Sequence, residues 1–140
     1  MTATRFALLY VAALIVCLPL DAIWLSLTAN SLYRAHLGPI MLDQPRWAAA
    51  IVFYLLYGIG VALFCMTPAL SGGGWTRAAL LGAAFGFFCY VTYDATNHAT
   101  LRDFPLILAL IDVAWGVILT ATAAGLGFLI ATRVFGVAGD

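Results

Sequence analysis

The chain has 140 residues, of which 65% are hydrophobic and only 9% charged, with a mean hydropathy of +1.07 and a formal net charge of zero. A soluble domain carries about 25% charged residues, and burial rises too slowly with size for so short a chain to hide this much apolar surface from water. The composition therefore excludes a soluble globular protein. With no basic run it also excludes a nucleic-acid partner. A crossing helix needs ~20 apolar residues. The expectation is one domain over 1–140, all-α and polytopic, with four transmembrane helices in an antiparallel bundle.

The first predicted span covers residues 5–28. Arg5 followed by the apolar run from Phe6 resembles a signal peptide. However, the run continues through Asp21 and Trp24 to Leu27, longer than an ordinary signal core, and no A-x-A-like site follows it, so a retained helix is expected. Pro19 removes one backbone bond and predicts a kink two residues before Asp21. The segment from Asn30 to Leu37 extends the helix toward the interface, and Gly38-Pro39 ends it. After a polar connector with Asp43, Pro45 and Arg46, the second span covers residues 47–66. Pro68 and the tract from Ser71 to Gly74 form a turn. The third span covers 75–96 and the fourth 104–132, with Pro105 suited to a first helical turn. Tyr33, Trp47 and Trp75 fall at predicted interfaces, where aromatic belts form.

Small residues mark expected helix contacts. Gly82 and Gly86 form a GxxxG pattern, and Ala121 and Gly125 share its spacing, which lets backbones approach closely. The spacing serves contacts within one chain, with a second copy, or with another membrane protein. Cys17, Cys65 and Cys89 each lie in an apolar stretch without a CxxC pair and read as packing residues. The arginines divide evenly, with Arg5, Arg77 and Arg133 on the side of the termini and Arg34, Arg46 and Arg102 opposite. The positive-inside rule does not decide between two equal sides. Asp43 and Asp103 on the second side tip the reading toward cytoplasmic termini.

Three aspartates, Asp21, Asp94 and Asp112, fall inside apolar spans, where each costs at least ~2.5–3.5 kcal/mol at mid-membrane and marks function by default. Because the spans alternate in direction, all three fall in one leaflet. At 1.5 Å per residue, Asp21 lies roughly 13 Å in from Asn30 and Asp112 roughly 12 Å in from Phe104. Trp24 and Thr28 share the face of Asp21, and Tyr90, Asn97 and His98 that of Asp94. The spacing Asp-x-x-Trp occurs twice, at Asp21–Trp24 and Asp112–Trp115. With Arg102, these residues are expected to line a polar pocket open to one side. Arg102, His98 or the indole N–H groups would offset the carboxylates, unless one of the acids is protonated. The same residues can instead serve only to hydrogen-bond helices together. Three Asp and His98 could hold a cation, but no HxxxH or ExxH spacing supports it, and no metal or cofactor is expected.

At these residues the chain resembles a known group. The run from Tyr93 to Pro105 with Ile111-Asp-Val-Ala-Trp-Gly116, and Leu20-Asp-Ala-Ile-Trp-Leu25 near the start, is similar to the motifs of small bacterial predicted inner-membrane proteins of unknown function, number 2177 in the domain-of-unknown-function series. The resemblance implies a compact four-helix protein of the bacterial inner membrane and supplies no activity. His98 departs from it, since an apolar residue such as leucine belongs there.

Three functions are compatible with these features. The chain binds or modifies a lipid or lipophilic small molecule in the half-membrane pocket, with one Asp as acid and another as base if it is an enzyme. Alternatively it is a proton-coupled transporter using Asp21, or a non-catalytic accessory subunit binding another membrane protein through its small-residue faces. Polarity confined to one leaflet favours the first, with membrane lipids as partners. No phosphate loop, nucleophile–base pair or haem-ligand pattern assigns a reaction.

Overall fold

A computed structural model describes residues 1–138. It contains four helices long and apolar enough to cross a membrane: α1 (Ala3–Ile40), α2 (Trp47–Leu70), α3 (Gly74–Thr100) and α4 (Leu106–Arg133). Among the described residues there is no strand. The chain is an all-α polytopic membrane protein. Large apolar side chains such as Ile23, Leu27, Leu56, Leu80 and Phe88 point away from the bundle, as lipid contact requires. Trp47 and Trp75 stand exposed at the starts of α2 and α3.

Local chemistry sets the helix ends. The Thr2 hydroxyl accepts the Arg5 N–H at 3.3 Å and caps α1. The turn into α3 carries three glycines with positive φ, and Gly73 at +81° is a conformation that L side chains resist. Pro105 immediately precedes α4.

α1 is continuous from Ala3 to Thr28, with Pro19 inside it. Its irregularity lies further on, as a wide π-helical stretch at Ala29–Arg34. A second wide stretch interrupts α2 at Val61–Met66. Such insertions re-aim the side chains beyond them.

The tightest contact is between α3 and α4. A methyl group on Gly86 would lie 2.3 Å from the Gly116 carbonyl oxygen, and one on Gly82 would lie 2.6 Å from that of Thr120 and 3.1 Å from the Ala121 Cα. A methyl on Gly125 would lie 3.0 Å from the Ala79 Cβ. The small-residue faces of α3 and α4 are thus spent on each other within one chain. The face of α4 at Gly127 admits the α1 backbone at Ala13 in the same way. A core of Leu9, Ala12, Ala13, Val61, Cys65, Met66 and Leu119 fills the end of the bundle near the termini. Cys17 and Cys65 are buried there and Cys89 is half-buried, all as free thiols.

One polar link crosses this core. The Tyr57 hydroxyl and the Thr120 hydroxyl lie 2.6 Å apart, and Thr120 also bonds the Gly116 carbonyl at 2.6 Å. Tyr57→Phe should lower stability by about 0.6–1.7 kcal/mol, the range for hydrogen bonds between membrane helices. Unfolding of the purified protein in mild detergent measures it.

Candidate functional site

The half of the bundle toward the α1–α2 and α3–α4 connectors is polar inside. Asp21, Asp94 and Asp112 come from α1, α3 and α4 and converge on one cavity of about 210 Å³. Tyr54 of α2, Tyr90 and Tyr93 of α3 and Trp115 of α4 complete its polar lining. Leu37, Phe104 and Leu108 roof it on the connector side, where Phe104 and Leu108 pack with Leu32, Tyr33 and Leu37 in a small apolar cluster.

The repeated Asp-x-x-Trp spacing acquires a meaning here. Trp24 and Trp115 stack face to face, with ring centroids 4.4 Å apart and planes within 7°. Each indole then serves the other motif's acid. Trp115 Nε1 donates to Asp21 Oδ1 at 2.9 Å. Trp24 Nε1 donates to the Tyr33 hydroxyl at 3.0 Å, and Tyr33 in turn donates to Asp112 Oδ1. Tyr54 donates to Asp21 Oδ2, so both oxygens of Asp21 are matched.

Asp94 is treated differently. It is 1% exposed, and no N–H or hydroxyl among the described residues donates to either of its oxygens; the group within hydrogen-bond reach is the Asp112 carboxyl. Buried polar groups are nearly always matched, because an unmet one costs about 1–3 kcal/mol.

Several side chains expected in the pocket lie elsewhere. Arg102 is exposed in the turn between α3 and α4 and does not line the cavity. Asn97 is half-buried one turn beyond Asp94 and also lies outside the lining. His98 Nδ1 sits 2.7 Å from the Phe104 carbonyl oxygen and ties the connector rather than the acids. Thr28 bonds back to the Trp24 carbonyl at 2.7 Å. Tyr33, expected in the interfacial belt, is instead a direct partner of Asp112. Tyr54 and Tyr93 join the site without having been singled out in the sequence. A phenol in an apolar span needs a partner for its hydroxyl, which is the signal that Tyr54 carries.

None of the lining side chains is basic. Among the described residues, no group of three or more His, Cys, Asp or Glu could hold a metal ion.

Beside the cavity lies a larger groove. α2 packs on α3 through Val61–Met66, while its Trp47–Gly60 portion stands away. The resulting cleft is about 710 Å³ and is walled by Phe53 and Tyr57 of α2 and by Phe85, Phe88 and Cys89 of α3. Tyr90, Tyr93 and Asp112 line both spaces, so the groove adjoins the acidic cavity.

The family described as predicted membrane protein (DUF2177) matches residues 6–129. The chain belongs to this family. The match reaches all four helices and takes in every residue named above in the cavity. No curated protein and no solved structure matches the chain.

The donor arrangement in this DUF2177 protein makes a specific expectation. Trp115→Phe keeps a ring for the stack but strips the Asp21 carboxylate of one donor. A loss of about 1–3 kcal/mol is expected. Trp24→Phe should cost less, because Tyr33 still donates to Asp112. Paired unfolding curves in one detergent give the comparison.

Proposed function

We propose that this protein binds an amphiphile, a lipid or another lipophilic small molecule, in the bacterial inner membrane. Its polar group enters the aspartate cavity and its tail lies in the groove between α2 and α3. The observation that carries this reading is the buried Asp94 carboxyl, which receives no N–H or hydroxyl donor on either oxygen and lines a cavity that adjoins an apolar cleft. The pairing of a few converging polar groups with a large apolar channel is the usual form of a small-molecule site. A structural role accounts for Asp21, whose oxygens are both matched by helix-to-helix donors, but not for Asp94.

The test compares whole-cell lipid mass spectra from a deletion strain, the strain rescued with wild-type protein, and the strain rescued with Asp94→Asn. A lipid species that changes on deletion and returns only with the wild type is expected. Identical spectra in all three strains would count against lipid handling. Proton-driven flux of a solute in liposomes, lost in Asp21→Asn, would then point to transport.

A further inference from the structure

We propose that the head group taken by the cavity is a protonated primary amine. The occupant is a single-chain lipophilic amine without a phosphate, its nitrogen beside Asp94 and its chain in the α2–α3 groove. This rests on the amphiphile reading above and names its ligand class.

Charge comes first. Three carboxyl groups line the cavity and no basic side chain does. The nearby cations are committed or outside: His98 to the Phe104 carbonyl, Arg102 in the exposed turn, and Arg34 in a surface pair with Asp43 at 3.7 Å. A buried acid without a cation is costly, and a ligand ammonium is the group that would offset it.

Hydrogen bonding narrows the class. Asp21 already has donors on both oxygens, and Asp112 takes the Tyr33 hydroxyl. The vacant acceptors are those of Asp94. They call for N–H donors, which an ammonium –NH₃⁺ has and a quaternary ammonium lacks. The aromatic lining from Tyr90, Tyr93 and Trp115 suits a cation as well. A phosphate would meet only carboxylates and phenols in this cavity, with no arginine to hold it. The tail's place follows from adjacency, since Tyr90, Tyr93 and Asp112 border cavity and groove alike.

The test uses full-length protein in maltoside micelles. In a Trp47→Phe, Trp75→Phe background, the stacked pair alone remains of the four tryptophans and reports on the site. The probes are dodecylamine, dodecanol, dodecyltrimethylammonium and a lysophosphatidylethanolamine with a twelve-carbon chain. Saturable binding of dodecylamine, at least tenfold tighter than the other three, is expected. Asp94→Asn and Asp112→Asn should each weaken it at least tenfold. Cys89→Phe, which narrows the groove without adding an indole, should also weaken it, and Asp43→Asn on the surface should leave it unchanged.

Dodecanol binding as tightly as dodecylamine, with loss in Cys89→Phe, would overturn the amine head group and leave the amphiphile reading standing. Tightest binding by the lysophospholipid would assign a phospholipid head instead. No saturable response to any probe would overturn both.

Discussion

Asp94→Leu should unfold at a higher temperature than the wild type and lose ligand binding altogether. The two effects share one cause. Asp94 is buried with neither oxygen matched, so removing the carboxyl recovers about 1–3 kcal/mol of unmet hydrogen-bonding cost. Leucine is larger, but the cavity of about 210 Å³ has room for it, and it suits the Phe104 and Leu108 side chains that share the space. Asp21→Leu should act in the opposite sense, because it strands the Tyr54 hydroxyl and the Trp115 N–H. Thermal unfolding in detergent for both variants, alongside binding, is the measurement. A destabilised Asp94→Leu would mean that Asp94 is a structural acid and would remove the main support for a ligand site. A trade of stability for function is expected where a polar group is kept open for a substrate.

Gly86→Ala should be among the most damaging single-methyl changes in the bundle. Its added carbon would sit 2.3 Å from the Gly116 carbonyl oxygen and 2.5 Å from the Thr120 hydroxyl. The first of these is backbone and has no rotamer to escape into, so α3 and α4 must separate. Overpacking of this kind costs about 1–3 kcal/mol, and here it also strains the Tyr57–Thr120 link. The neighbouring Ala84 faces outward, and Ala84→Leu should be near neutral. Equal unfolding temperatures for the two variants would show that the α3–α4 contact is looser than these distances imply.

The architecture was readable because its causes are compositional. Apolar runs of crossing length, punctuated by Gly-Pro, a glycine tract and Asp-Phe-Pro, leave few alternatives to four helices. The convergence of Asp21, Asp94 and Asp112 was readable for a related reason, since alternating helix direction converts positions along the chain into depth. What escaped was set by local departures from the 3.6-residue period. Trp24 and Tyr33 are nine residues apart, two and a half turns of regular helix, which would put them on opposite faces. The wide stretch at Ala29–Arg34 rephases the rod and brings their side chains together. Nothing in that stretch advertises such an insertion. Arg102, Asn97 and His98 were misplaced for a different reason. Polarity and proximity in sequence pointed them at the acids, whereas the connector turns Phe104 inward in their place.

The link between Trp115 and Asp21 joins positions 94 residues apart in the chain. During synthesis at ~5–20 residues per second, Asp21 enters the membrane roughly 5–20 seconds before its indole partner has been made. For that interval the newborn α1 holds a carboxyl whose insertion costs ~2.5–3.5 kcal/mol, carried by the apolar residues around it. Tyr54 is the first of its two donors to arrive, 33 residues on. Biogenesis is therefore an ordered ring closure in which the last helix quenches the acid exposed by the first. A chain stalled before α4 leaves that acid without its indole donor.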